Sequence, residues 1–558
     1  MDENLDDSAI QIMRDVGDFH FVKAQDGHTE SPTDSETSSL APANVLVPQP
    51  ANDPDDPLNW SPSWKAAAIF SATALSFTLN LGPLALAPMF GSYMIEWDCS
   101  LADAVQFTGV AILVLGFSNF LWVPIMVTWG RRPVAISSTL LCVCSSIWRA
   151  RATSYGSFMG ASVLNGIGAG PCETLMPQVI ADIVFLHDRG KYQTLYFSMY
   201  FISLMVGPII SGAMDYHTGW RSFWWFNTGL LMFALVVQIV LFPETQYDRT
   251  AAMRRQREQA HSAADTHSRE TTNNNEPAAA HTDGVSTDTE KEPAALHTPP
   301  PAPIDSFLGI SRPSKKHFRL YVKNTDLRML WRELWLPWYL FVFPIVEFAA
   351  FVVSWSAASF LVVNLSQSQA FAAPPYNYSS QTIGLFNISV FVWAGIGLFT
   401  CGPLSDMVAA WFTRRNNGVR EPEMRLVAIV PYVAALIVGS VVTAVGYDRH
   451  WPWQVIVIVG YGLLGMQVTA LPSIVSTYAI DSYRPVTGSM FVAITVNKNL
   501  WGYGISKFLT AWSEKDGFIA PVLTNMGLAV FFCLLAVPFW FYGKKLRGYS
   551  RKSFVHRL

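Results

Sequence analysis

Residues 157–182 read SFMGASVLNGIGAGPCETLMPQVIAD, a stretch that is apolar or small almost throughout yet carries one carboxylate, Glu173, before it closes on Asp182. It exceeds the roughly 20 residues an α-helix needs to cross a hydrocarbon core about 30 Å thick, so it reads as a transmembrane helix with an acid inside it. Comparable apolar runs recur along the chain. The composition agrees: 51% of the 558 residues are hydrophobic and 14% are charged, where a soluble chain carries about 25% charge. Mean hydropathy is +0.26. The chain is expected to be an all-α, multi-pass membrane protein.

Working outward from that stretch, spans are expected at Lys65–Pro88, Ala104–Thr128, Val134–Arg149, Ser157–Asp182, Thr194–Met214 and Arg221–Phe242. A second set is expected at Leu336–Val363, Ile383–Asp406, Leu426–Ala444, Val455–Ala479, Val486–Trp512 and Ile519–Tyr542. Six and six make twelve transmembrane helices. The domain plan is a tail over 1–62, a six-helix bundle over 63–243, a linker over 244–333, a second bundle over 334–542 and a tail over 543–558. The linker contains SAADTHSRETTNNNEPAAAHTDGVSTDTEKEPAALHTPPPAP, too poor in apolar residues to offset the entropy of ordering, and is expected to be disordered. Its end, KKHFRLYVKNTDLRMLWRELWLPW, mixes basic and aromatic residues and is expected to lie along the membrane surface. The acidic N-terminus lacks the basic start and apolar run of a cleaved signal, so the first span is expected to direct insertion.

Basic residues in short loops set the orientation. One side carries Arg131, Arg132, Arg189, Lys191, Arg414, Arg415, Arg420, Arg425, Arg484, Lys544, Lys545 and Arg547; the other carries Arg149, Arg151, Arg221, Arg449 and Lys515. The bias places both termini and the linker in the cytoplasm. Two sequons, at Asn364 and Asn377, then face outward as candidate glycosylation sites, Asn377 being farther from the bilayer. The formal net charge of −3 averages apolar spans with polar tails and points to no nucleic-acid partner. The six cysteines show neither a disulfide framework nor a zinc spacing. No metal or cofactor is expected.

Several motifs resemble the major facilitator superfamily, and within it the fungal-type branch of twelve-span drug:proton antiporters. They are DPDDPLNWSPSWK before span 1, GRRP at Gly130–Pro133, HDRGKYQ at His187–Gln193, GPIISG at Gly207–Gly212, GWRSFWWFN at Gly219–Asn227 and PETQYDR after span 6. The segment GPLSDMVAAWFTRRNNGVREPEMRL at Gly402–Leu426 resembles the family's cytoplasmic gate motif, with Asp406, Arg414 and Arg415 as ionic elements. In the first half the resemblance implies a gate on Arg131 and Arg132. Val127 stands where the pattern has an aspartate, which shifts the gate onto Asp182 and Arg189. Ser203 and Thr194 replace glycines of the antiporter motif, and Asn165 replaces the arginine typical of span 4. The resemblance implies two pseudo-symmetric six-helix bundles of inverted three-helix repeats, acting as a monomer and rocking around a midplane site lined mainly by spans 1, 4, 7 and 10.

That site needs residues at the right depth. At 1.5 Å per residue, Glu173 lies about 13–14 Å from the end of span 4, Glu347 about 16–17 Å from the start of span 7 and Lys498 about 18 Å from the start of span 11. Half the hydrocarbon core is about 15 Å, so all three are placed near the midplane. Charges there face a bundle interior or a wet cavity. Candidate substrate- and proton-binding residues are Glu173, Glu347 and Lys498, with Asn165, Trp355, Tyr461 and Gln467 as aromatic and polar lining. The competing reading makes Glu173 a protonated interhelical hydrogen-bonding group and Glu347–Lys498 a structural pair.

No phosphate-binding G-x-x-x-x-G-K-[ST] is present, so transport would draw on a gradient. The functions to separate are proton-coupled export of drugs, toxins or secondary metabolites; proton-coupled import of organic cations such as polyamines; and a non-transporting membrane sensor. The absence of H-E-x-x-H and G-x-S-x-G argues against an intramembrane enzyme. The expected partners are a small-molecule substrate, protons and lipid, in the cell membrane, with the vacuole or another internal membrane as the alternative.

Overall fold

A computed structural model describes residues 48, 50–185, 189–249, 251–252, 254–255, 258, 307–319, 327–416, 421–483 and 487–550. Arg420, Arg484, His187 and most of both tails and the linker lie outside the described residues.

The described residues are helical, with one isolated bridge between Trp60 and Ser311. The first half comprises α1 (Pro62–Leu84), the short α2 (Phe90–Trp97), α3 (Leu101–Trp129), α4 (Arg131–Ala150), α5 (Tyr155–Ala169), α6 (Leu175–Ile183), α7 (Arg189–Thr218) and α8 (Trp220–Leu241). The second comprises α9 (Leu327–Leu340), α10 (Pro344–Phe371), α11 (Ser380–Leu385), α12 (Asn387–Arg415), α13 (Val430–Asp448), α14 (Gly462–Ser482), α15 (Thr487–Asp516), α16 (Ile519–Leu534) and α17 (Ala536–Ser550). Ten helical stretches are long and apolar enough to cross a membrane. Two more crossings complete the twelve-span fold: α5–α6, interrupted by a 3₁₀ turn at Gly170–Cys172, and α15, whose middle carries Asn497, Lys498 and Asn499. These two crossings are the ones that hold Glu173 and Lys498.

Three boundaries differ from expectation in ways that matter. The apolar run from Leu336 is broken at residues 341–343, and α10 starts at Pro344, a residue suited to a first helical turn because its missing N–H is one the turn leaves unpaired anyway. Glu347 therefore sits in the first turn of α10, about 4.5 Å from its start, and leaves the midplane. Arg149, counted with the outer loops, is fully buried, its guanidinium packed over the rings of Trp224 and Phe158 at 4.5 and 5.5 Å. Part of the composition-assigned linker is placed: the Ser311 amide donates to the carbonyl of Asn59, Glu244 takes the carbonyl of His317 at 2.8 Å, and the His317 ring meets Trp60 edge-on at 5.4 Å.

At the end opposite the linker the halves touch backbone to backbone. Gly212 of α7 packs on Ser380 and Gly384 of α11, and a Cβ at Gly384 would come within 2.6 Å of the Pro208 carbonyl. Gln106 of α3 donates to the Ser506 carbonyl of α15 at 3.0 Å. At the linker end, α9 straddles the seam. Trp338 stacks on Phe120 of α3 at 4.6 Å, and Glu333 accepts from the Ser489 hydroxyl of α15 at 3.1 Å.

The two sequons separate. Asn364 is a fully buried residue within α10, whereas Asn377 is exposed in the loop after it. Expressed in a cell that glycosylates surface proteins, the chain should lose its glycosidase-sensitive mass shift in Asn377→Gln and keep it in Asn364→Gln; a shift that survives Asn377→Gln refutes the assignment.

Candidate functional site

The site is built on the break in span 4. Pro171 and Pro177 have no N–H to donate, so the carbonyls four residues earlier, of Ile167 and Glu173, lose their helical partners. Both are taken up from neighbouring helices: Trp122 Nε1 donates to Ile167 O at 2.7 Å and Tyr196 OH to Glu173 O at 3.1 Å. The Ser76 hydroxyl donates to the Cys172 carbonyl at 3.1 Å. The small residues before the break serve packing, since a Cβ on Gly166 would approach Ala111 O to 2.7 Å and one on Gly170 would collide with Ser118. The break is thus braced by α1, α3 and α7, and it turns Glu173 toward the seam between the halves.

There Glu173 Oε1 meets Lys498 Nζ of α15 in an ion pair. Tyr200 OH of α7 donates to the same Oε1 at 2.7 Å, and Lys498 donates to that hydroxyl at 3.0 Å, closing a ring of three groups. The Glu173 and Lys498 side chains are 6% and 16% exposed. They line a cavity of about 130 Å³ between the halves, walled by α1, α3, α7, α10, α14 and α15 as well as span 4. Phe197, Phe201, Phe360 and Phe491 line it beside Tyr196 and Tyr200, among aliphatic side chains and the polar Asn80. Among its lining residues Glu173 is the one acid and Lys498 the one base.

The structure sorts the remaining candidates differently from the sequence. Lys498 pairs with Glu173 across the halves; Glu347, which the competing reading paired with it, lies outside the lining of this cavity. Asn165, Trp355, Tyr461 and Gln467 also fall outside that lining. Asn165 packs against Cys142, with Nδ2 3.9 Å from the sulfur. Trp355 lies 4.9 Å from Trp501, ring to ring. Tyr461 bonds to Tyr447 within the second half. Gln467 accepts from the Ser356 hydroxyl at 2.8 Å and so ties α14 to α10. Tyr196 and Tyr200 went unrecognised in the sequence, although their spacing of four residues puts both hydroxyls on one face of a helix.

At the linker end, Arg131 pairs with Asp182 at 3.0 Å, and the Thr245 hydroxyl donates to the same carboxylate at 3.1 Å. The backbone N–H groups of Arg131 and Arg132 donate to the Glu244 carboxylate at 2.9 and 3.0 Å, a carboxylate cap on the start of α4. Gly130 has φ +110°, and a Cβ there would strike Glu244, so only glycine fits. The Arg132 guanidinium donates to the carbonyls of Gln238, Ile239 and Phe242 at the end of α8. Arg189 donates to the Ala181 and Val184 carbonyls at 2.8 and 3.2 Å. In the second half, Arg425 bridges Asp406 at 3.1 Å and Asp481 at 3.4 Å. Arg414 is exposed, and Arg415 lies over the Trp411 ring at 3.9 Å, so the pairing with Asp406 seen here is made by Arg425. Each half thereby fastens the end of its fourth span, Asp182 or Asp481, to an arginine of its own loop.

Twelve crossings in two halves, closed over a central cavity with an ion pair across the seam, define a membrane transporter. The family model described as Major Facilitator Superfamily matches residues 65–505, and the chain belongs to that family. It is similar to protein HOL1 of Saccharomyces cerevisiae, 25% identical over 97% of this chain and 96% of the relative. The probable efflux pump mfs2 of Aspergillus flavus is 24% identical, covering 84% of this chain and all (100%) of the relative. Among solved structures a D-xylose–proton symporter matches with TM-score 0.54 at 12% identity, over 85% of this chain and 97% of the other, and shares the fold.

Two stability predictions follow from this geometry. Trp122→Phe leaves the Ile167 carbonyl without a partner and should cost about 1–3 kcal/mol, read as a lowered thermal midpoint in detergent; an unchanged midpoint contradicts the bracing account. Lys498→Met strands the Glu173 carboxylate and should destabilise by about 3–5 kcal/mol, while Glu173→Gln with Lys498→Met restores most of the loss. A double variant no more stable than Lys498→Met would show that the pair is not what the lysine serves.

Proposed function

We propose that this chain is a secondary active transporter that exports small organic molecules in exchange for protons, by alternating access. The observation that carries this reading is the Glu173–Lys498 pair in the cavity between the halves. With both groups charged the pair is neutral. A bare charge at the centre of a bilayer costs about 2.5–3.5 kcal/mol or more, so Glu173 crosses between states cheaply only when Lys498, a proton or a cargo donor occupies it. Proton and cargo then compete for one carboxylate, and that competition links their fluxes. The phenylalanines and tyrosines around it suit an amphipathic molecule with a cationic or hydrogen-bond-donating end. The Aspergillus flavus relative is named as a probable efflux pump, which favours export as the direction.

Import of a polyamine is the second reading, and the single acid of the cavity weighs against it. A linear polycation would leave ammonium groups unpaired along aromatic walls. A sensor that does not transport is separated by flux itself. The protein is proposed to act as a monomer in the cell membrane.

The test is a screen of small organic molecules in vesicles containing the reconstituted chain under an imposed pH gradient. Glu173→Gln, nearly isosteric but unable to titrate, should reduce gradient-driven flux to background when flux is normalised to the folded protein in the vesicles. Gradient-driven flux that persists in this variant refutes the assignment of Glu173 as the proton site. Arg425→Gln should raise thiol labelling of a cysteine placed at Ser476 more than Asp406→Asn does, because Arg425 serves two carboxylates; equal labelling contradicts the gate.

A further inference from the structure

Competition for Glu173 leaves a problem on the other helix: when a proton or cargo takes the carboxylate, Lys498 loses its counter-charge inside the cavity. The structure holds a second acceptor in place. Lys498 Nζ donates to Tyr200 OH at 3.0 Å and lies 5.3 Å from the centroid of the same ring. These two, the Glu173 carboxylate and the Tyr200 hydroxyl, are the acceptors of Lys498 among the described residues. The titratable groups around Tyr200 are Glu173, Lys498, Tyr196 and Cys172. None but Glu173 carries a compensating negative charge at neutral pH.

We infer that Tyr200 is a positioning residue that receives Lys498 whenever Glu173 is neutralised, so that the loaded state is reached without stranding an ammonium group. The inference rests on Glu173 being the group that loads. The hydroxyl also donates to Glu173, and its loss acts on both states in opposite senses. The ionised carboxylate would lose a neutral donor while keeping its ammonium partner. In the protonated state the buried ammonium has no counter-charge and keeps only neutral oxygens, the carboxyl carbonyl and this hydroxyl, so losing the hydroxyl there is the larger penalty. Removing the hydroxyl therefore disfavours loading. Tyr200→Phe keeps the ring and the backbone carbonyl that Asn80 Nδ2 reaches at 3.2 Å, so the contact between α1 and α7 survives.

The experiment uses the full chain in lipid nanodiscs, with protons themselves as the probe. Infrared difference spectra follow the protonated-carboxyl band that disappears in Glu173→Gln. Tyr200→Phe should require at least about tenfold more protons for half-maximal band intensity, which is about one pH unit, and in a Lys498→Met background the same substitution should produce no such acid shift. An unchanged pH profile in Tyr200→Phe overturns the inference and leaves the proposed function intact. An acid shift of equal size with and without the lysine also overturns it, because a purely structural role would act in both backgrounds. Loss of no titrating band in Glu173→Gln overturns the proposed function and the inference together.

Discussion

A charge cannot be left alone in the middle of a bilayer, and this structure is organised around meeting that requirement for two of them. Glu173 and Lys498 each interrupt an otherwise apolar crossing, and each supplies what the other lacks. Because one belongs to the first half and the other to the second, the contact that keeps the charges tolerable is also one that holds the halves together. The helical elements around the pair support it. Two prolines open span 4 at the required depth, Trp122 and Tyr196 take up the carbonyls set free, and Tyr200 completes the hydrogen-bonded ring.

The fold was readable because crossing a membrane demands length and apolarity, both visible in one dimension. Glu173 and Lys498 were readable for the same reason, as ionisable residues in apolar runs. Their partnership was not. They are 325 positions apart in the chain, and nothing in the local pattern of either helix says which other helix it faces. The depth of Glu347 was misplaced because phenylalanines at 341 and 343 keep the hydropathy high across a helix boundary; Pro344 was the signal available. Tyr461, Gln467 and Trp355 have the chemistry of cavity residues but spend it on contacts within the second half. Aromatic and amide side chains pack and bind with the same groups, and only tertiary position separates the two uses.

The ion pairs at the linker end repeat the lesson. The arginines named from the motif of the second half were close in sequence to the one that forms the pairs, and the turn before α13 brings Arg425 to both carboxylates. In the first half, Glu244 follows span 6 by only a few residues and caps the start of α4 more than a hundred positions earlier. Sequence motifs identified the neighbourhood; the pairing came from how the helices return to one face.

The docking of residues 307–319 against Asn59, Trp60 and Glu244 alters how the long connection between the halves should be understood mechanically. Arg249 pairs with Asp56, so the chain is fastened to the first half both where it leaves α8 and again at 307–319. Those two anchors hold the connection against the first half before α9 begins. The covalent lead into the second half therefore starts from residues already docked on the first half, at 307–319, and not from the end of α8.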